Sequence, residues 1–135
     1  MYFSTSKSQK MNKNIMACGA AFVLTAVILG AFGAHALKEL LSNNQLASFE
    51  IGVRYQMYHG FALLFTGFIF DKIQNTALIS KLFIIGTLLF SLSIYLLNLQ
   101  ELIGTSLFFL GPITPIGGSL LIAGWFIFLS SLLKK

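Results

Sequence analysis

Residues 14–37, NIMACGAAFVLTAVILGAFGAHAL, carry no charged side chain, and this stretch decides the class of the fold. About 20 apolar residues in a helix cross a hydrocarbon core that is roughly 30 Å thick. Three further uncharged windows follow at 55–70, 82–100 and 102–133. The pattern predicts a chain that spans a membrane several times.

The composition is also that of a membrane protein. Of the 135 residues, 56% are hydrophobic and 10% are charged, whereas soluble domains average roughly 45–50% and 25%. The formal charge of +5 comes mainly from lysines near the two termini, which usually set orientation and contact anionic lipid headgroups. We therefore expect membrane lipids as partners and no nucleic acid. The single cysteine, Cys18, allows neither an internal disulfide nor a cysteine metal cluster.

The windows predict an all-α membrane protein, a bundle of four transmembrane helices. The fourth window is too long for one span, and Gly111, Pro112 and Pro115 divide it. Thr114 before Pro115 has the pattern of an N-cap followed by proline at the first helical position. Residues 102–110 are too short to cross, so we expect them at the interface or partly re-entrant. One domain over 14–135 is predicted, with spans at about 15–37, 52–70, 79–98 and 115–133.

A long amphipathic stretch leads into the second span. Apolar residues recur at helical spacing over 46–57. Within it, Glu50 precedes Arg54 by four residues, the favourable order for a helical ion pair. One of the asparagines at 43–44 is the candidate cap. We expect a single helix over about 45–70.

The basic residues predict the orientation. With the amino terminus in the cytoplasm, seven lysines lie on the cytoplasmic side, and only Lys38 and Arg54 lie outside. Because cytoplasmic loops carry the excess of lysine and arginine, both termini are predicted to be cytoplasmic. Residues 1–13 are expected to form a disordered basic tail, and Met11 is an alternative first residue.

Polar side chains in the predicted spans gather in the outer half of the bundle. At about 1.5 Å per residue, His35 falls at the outer interface and His59 near mid-membrane. An ionisable residue in a span is costly and is by default a functional candidate. The alternative is that these groups form hydrogen bonds between helices, worth about 0.6–2 kcal/mol each. The candidate polar cluster comprises His35, Gln56, His59, Ser91, Tyr95, Asn98 and Thr114.

Small residues on the first and fourth spans are expected to pack helices, because they let backbones approach closely in lipid. Trp125 should lie in mid-bilayer, so its indole N–H needs a partner, which we expect on the polar face of the third helix. The predicted packing residues are Ala26, Gly30, Gly33, Ala34, Gly117, Gly118, Gly124 and Trp125.

The sequence predicts no catalytic set, metal site or cofactor. Two histidines without a nearby carboxylate or cysteine make a poor zinc site, and haem would need them at one depth. We therefore expect a non-enzymatic membrane component that binds a protein or lipid partner. The protein partner could be a second copy of the chain, in a homo-oligomer, or another membrane protein. The alternative is a small transporter, channel or proton-coupled carrier with a polar outer cavity around His59.

Three motifs in order point to a family. They are GAFGAHALK at 30–38, YQMYHGFALL at 55–64, and ITPIGG at 113–118 followed by GW at 124–125. These motifs resemble the DUF423 family of small uncharacterised membrane proteins, also called UPF0382. The resemblance covers the chain from about Met16 to its end.

The resemblance implies a four-span plasma-membrane protein of bacteria, with the family's histidines at His35 and His59. It implies no activity, because the family has no established one. One departure is at residues 90–93, where Phe-Ser-Leu-Ser stands in place of the usual Phe-Ser-Gly-Ser. Leucine for glycine there argues against a tight helix contact at Leu92.

Overall fold

The computed structural model describes residues 8–134 of the chain. These residues form four long helices, and no strand occurs among them. The third helix contains a π-helical turn at Leu88–Leu92, which is wound more loosely than an α-helix. The helices are α1 (Lys13–His35), α2 (Asn43–Phe68), α3 (Thr76–Ile103) and α4 (Ile113–Leu133), with short 3₁₀ turns at Leu37–Glu39 and Phe108–Leu110.

Three segments are long and apolar enough to cross a membrane. They are α1, α3 and the stretch Phe108–Leu133, with 23, 28 and 26 residues. Helix α2, with 26 residues, has the length of a span and is less apolar. The prediction of an all-α, four-helix membrane protein is confirmed, whereas the side that the termini face stays a prediction.

Helix α2 is one continuous helix, as the amphipathic pattern predicts. Its cap is Ser42, whose hydroxyl accepts from the Gln45 backbone N–H at 3.2 Å, while Gln45 Oε1 accepts from the Ser42 N–H at 2.9 Å. The predicted asparagine cap at 43–44 was wrong, because this reciprocal pair satisfies two N–H groups at once. The predicted ion pair is confirmed, with Arg54 Nη2 3.6 Å from Glu50 Oε2.

The start of α4 differs from the prediction. The helix begins at Ile113, with Pro112 in the cap position and no side-chain cap bond. The Thr114 hydroxyl instead shares a hydrogen bond of 2.6 Å with Ser93 of α3. The prediction that Thr114 caps α4 was therefore wrong, because its hydroxyl is used between helices.

The segment before α1 lies against the end of α2. Asn12 N–H donates to Gly67 O at 2.9 Å, Gln9 Nε2 donates to Phe68 O at 2.7 Å, and Lys10 N–H donates to the Asp71 carboxylate at 2.9 Å. Residues 1–7 of the predicted tail lie outside the described residues, and its disorder stays a prediction.

The helices pack in chain order, α1 on α2, α2 on α3 and α3 on α4, with fewer contacts between the other pairs. Two grooves result, one between α1 and α3 and one between α2 and α4. A buried apolar cluster joins α2, α3 and α4, and a second lies at the His35 end of α1. The first contains Leu63, Ile79, Phe83, Leu121 and Phe128, and the second contains Leu37, Leu41, Phe49 and Tyr95.

The predicted packing residues divide by exposure. Ala26, Gly33, Gly117 and Gly124 are buried, Gly30 and Gly118 are half-buried, and Ala34 and Trp125 are exposed. Leu92, the departure from the family pattern, is 48% exposed. Its side chain therefore faces outward and does not hold the helices apart.

Candidate functional site

Both ring nitrogens of His59 are hydrogen-bonded. Its Nδ1 lies 2.7 Å from Tyr55 O, and its Nε2 lies 3.0 Å from the indole Nε1 of Trp125. A carbonyl oxygen can only accept, and an indole N–H can only donate. The imidazole is therefore neutral, donating from Nδ1 and accepting at Nε2. In this arrangement it has no free lone pair for a metal or haem iron.

The partner of Trp125 is on a different helix from the predicted one. We expected the indole N–H to bond the polar face of α3, and the structure pairs it with His59 of α2. At this depth α3 presents Phe83, whose ring centroid lies 4.8 Å from that of Trp125 and 5.4 Å from that of His59. Because Phe83 offers no acceptor, α2 supplies one.

Gln56 joins three helices. Its Nε2 donates to Phe22 O at 3.0 Å and to Thr25 Oγ1 at 2.6 Å, both on α1. Its Oε1 accepts from the Tyr95 hydroxyl of α3 at 2.8 Å. Thr25 donates onward to Ala21 O at 2.8 Å. It was not among the predicted site residues, although it is the one hydroxyl residue of α1.

Three further polar contacts cross between helices. Ser91, on the π-helical turn, donates to Gly52 O at 2.8 Å. Asn98 Nδ2 donates to Ser48 Oγ at 2.9 Å and to its own helix at Ile94 O, 2.8 Å away. The third is the bond between Ser93 and Thr114. Ser48 and Ser93 were not predicted, and only the fold could pair them with these partners.

The two histidines do not share a site. A Cβ built on Gly60 would lie 2.8 Å from Val23 Cγ2 and 2.9 Å from Gly19 O, so His59 is level with the middle of α1. His35 is exposed at the end of that helix. At about 1.5 Å per residue the two imidazoles are separated by roughly 20 Å along the helix, which excludes a shared haem or metal.

Two grooves between helices that are not neighbours in the chain open on the lipid-facing surface. One, of about 360 Å³, lies between α1 and α3, and Gln56 and Ser91 line it. The larger, of about 640 Å³, lies between α2 and α4 and is called here the aromatic groove. Its lining comprises Tyr55, Tyr58, His59, Phe90, Gly118, Leu121, Ile122 and Trp125.

The fold and these contacts define an integral membrane protein whose buried polar groups join its helices. The chain belongs to the DUF423 family, since the model described as "Protein of unknown function (DUF423)" matches residues 29–118. It is 41% identical over 117 residues to a UPF0382 membrane protein of Staphylococcus haemolyticus, covering 86% of this chain and 92% of that one. It is 36% identical over 119 residues to the UPF0382 membrane protein YwdK of Bacillus subtilis, covering 86% and 93%. No solved structure matches the chain.

The hydrogen bonds of Gln56 predict how much stability the protein loses when the Tyr95 hydroxyl is removed. Tyr95→Phe removes the donor to Gln56 Oε1, which is then left buried without that partner. We expect a loss of about 0.6–2 kcal/mol in the free energy of unfolding, the usual range between membrane helices. Titration of detergent-solubilised protein with sodium dodecyl sulfate measures it. Tyr58→Phe is the control, because Tyr58 is 57% exposed, and equal stability of both variants would contradict the prediction.

Proposed function

We propose that this chain is a non-enzymatic membrane component that binds a lipid-like partner in the aromatic groove. The observation that carries the proposal is the groove of about 640 Å³ between α2 and α4. Its volume lies within the roughly 300–1,000 Å³ of small-molecule sites. Its wall is held by the hydrogen bond between Trp125 and His59.

The state of His59 supports binding over catalysis. With one nitrogen donating to Tyr55 O and the other accepting from Trp125, the imidazole must break a bond before it can take a proton from a ligand. Its evident effect is to fix the indole ring. No group of three metal-ligating side chains occurs among the described residues.

The exposed side chains around the groove indicate what would enter it. Ile122 is 72% exposed, Tyr58 57% and Trp125 44%. These groups face the bilayer, where no water competes, so contact with an apolar chain or ring is favoured by packing rather than by burial from water. An apolar ligand or acyl chain fits this surface, and the same face would also accept an apolar helix of a membrane-protein partner or of a second copy.

A second candidate function, a small transporter or proton-coupled carrier, is favoured by one observation. The groove of about 360 Å³ between α1 and α3 has a mostly apolar lining that also includes Thr25, Gln56, Thr87 and Ser91. Thr87 Oγ1 is buried and makes no hydrogen bond within residues 8–134. A hydroxyl of this kind is costly in a span and would be satisfied by a polar substrate. In this arrangement the candidate groove lies beside Gln56 instead of His59.

Native mass spectrometry of protein gently extracted from its own membrane tests the proposed function. We expect one lipid-sized molecule on the wild type and its loss, by about tenfold or more, in Gly118→Leu, which fills the groove next to Phe90. Ser119→Leu is the matched control, because Ser119 is exposed and bonds only its own helix at Pro115 O. Trp125 is the only tryptophan in the sequence, so its fluorescence reports on the groove independently. The tenfold estimate corresponds to about 1.4 kcal/mol of binding free energy.

Three other outcomes would each decide against the groove as a lipid site. Equal retention by the wild type and by Gly118→Leu would place the lipid elsewhere. A dimer mass that Gly118→Leu reduces would assign the groove to a second copy. An empty wild type, together with pH-dependent uptake into liposomes that Gln56→Leu abolishes, would favour the carrier.

A further inference from the structure

An ion pair lies exposed on the outside of the helix bundle, near the His35 end of α1. Arg54 and Glu50 are 3.6 Å apart, and their side chains are 64% and 52% exposed. Charged groups within spans almost always face the interior of a bundle or a water-filled cavity. Here they lie exposed at the edge of the contact between α1 and α2, where a polar group from outside the chain can reach both of them.

The contacts between α1 and α2 give the depth of this pair. A Cβ built on Gly30 would lie 3.4 Å from Val53 Cγ1, and one built on Gly33 would lie 3.3 Å from Phe49. Arg54 is therefore level with a point five residues before the end of α1, or about 8 Å below it at 1.5 Å per residue. The Glu50 backbone lies one turn nearer to this end of the bundle, about 6 Å from the Arg54 backbone along the axis, and the two charged groups are 3.6 Å apart.

A groove with both polar and apolar lining continues from the ion pair between α1 and α2. It has a volume of about 250 Å³, and its floor is formed where Gly30 and Gly33 leave room beside Val53 and Phe49. Both Glu50 and Arg54 belong to its lining. The surface thus combines a negative residue on the turn nearer to the end of the bundle, a positive residue on the next turn, and the apolar side chains of the groove beside both.

We propose that this groove binds one aminophospholipid, with its phosphate on the Arg54 guanidinium, its ammonium group on the Glu50 carboxylate and one acyl chain beside Gly30 and Gly33. In such a lipid the ammonium group lies farther from the bilayer centre than the phosphate. Glu50 and Arg54 have the complementary order along the same direction. Glu50 is nearer than Arg54 to this end of the bundle, whether that end lies on the cytoplasmic or on the outer side of the membrane. A guanidinium also matches phosphate oxygens in a bidentate contact.

Charge placement favours this occupant over a second copy of the chain. Two copies inserted in the same direction are related by an axis along the membrane normal, which brings identical residues to one depth. Glu50 of one copy would then lie at the same depth as Glu50 of the other, and the same holds for Arg54. Each pair of like charges would repel. The zwitterionic headgroup instead offers an opposite charge at each level. The site is separate from the aromatic groove and does not rest on the proposed function.

The test compares phosphatidylethanolamine with phosphatidylglycerol in native mass spectrometry of protein reconstituted into nanodiscs of each lipid. We expect the wild type to retain phosphatidylethanolamine about tenfold more than phosphatidylglycerol, as suits one additional charge-assisted contact. The double variant Glu50→Arg/Arg54→Glu keeps opposite charges four residues apart and reverses their order. It should lose the preference.

Single variants provide the test if the double variant Glu50→Arg/Arg54→Glu does not fold. Glu50→Gln should abolish the preference for the ammonium group, and Arg54→Gln should lower retention of both lipids. Lys38→Gln, which removes another exposed basic residue near the same end of the bundle, should change neither. Equal retention of the two lipids by the wild type would overturn the proposal and leave only surrounding bilayer lipid. A dimer mass that depends on Glu50 would overturn it in favour of a second copy.

Discussion

Gly117→Ala should weaken the whole bundle by separating α4 from α3. A Cβ at Gly117 would overlap the backbone nitrogen of Phe90 and lie 2.8 Å from the backbone oxygen of Gly86. Backbone atoms of a packed helix cannot rotate aside as the end of a side chain can, so the two helices must move apart. We expect a loss of about 1–3 kcal/mol or more in the free energy of unfolding, the range for an overpacked interior. Unfolding in mixtures of mild detergent and sodium dodecyl sulfate measures the loss.

Gly118→Ala is the matched control for this effect. The atom nearest to a Cβ at Gly118 is Phe90 Cδ2, at 3.6 Å, which is an ordinary contact. Both substitutions bring the same gain in helix propensity, up to about 1 kcal/mol, so the difference between the variants isolates the close approach. If Gly117→Ala and Gly118→Ala were equally stable, the backbone contact between α3 and α4 would not exist in the membrane.

The number and the type of the elements follow from the sequence because charge is costly in a bilayer. In lipid, an uncharged run such as 14–37 satisfies its backbone hydrogen bonds by forming a spanning helix. The ends of the helices depend on which of several neighbouring polar residues caps them. Ser42 and the asparagines at 43–44 all suit the N-cap position, and the Gln45 side chain, which completes a reciprocal pair with Ser42, decides between them.

The candidate site was predicted by depth, whereas its true pairings depend on which faces of the helices meet. Gln56 and Tyr95 do bond each other, but His59 bonds Trp125 of α4 instead of a residue of α3. A side chain's height follows from counting about 1.5 Å per residue, while its partner depends on the rotation of each helix about its axis. The predicted single cluster therefore separates into several pairs, and His35 lies apart from all of them.

The π-helical turn at Leu88–Leu92 explains part of this rotation. One extra residue in a turn shifts every following side chain around the helix axis. Ser91 on that turn reaches Gly52 O, and Gly117 of α4 packs against the backbone of the same turn. No residue in this stretch is a helix breaker such as proline or glycine, so the sequence alone offers no signal for the turn.

The second large effect is expected for Gly19→Ala, which acts on the contact between α1 and α2. A Cβ at Gly19 would lie 2.6 Å from Gly60 O and 2.8 Å from the backbone nitrogen of Leu64. Among the described residues, helix α1 packs mainly on α2, so forcing these backbones apart weakens its main contact. We expect a loss of about 1–3 kcal/mol in the free energy of unfolding. Amide hydrogen exchange should also rise along α1 while it stays slow in α3 and α4.

Gly30→Ala serves as the control on the same helix pair. Its Cβ would lie 3.4 Å from Val53 Cγ1, at the end of a side chain, so we expect a loss of stability no larger than about 0.5 kcal/mol. The location of the faster exchange separates this effect from that of Gly117→Ala, which should loosen α4 instead. If Gly19→Ala accelerated exchange equally in all four helices, α1 would be integral to a single cooperative core. That result would contradict the expectation that α1 can separate from α2 while α3 and α4 stay folded.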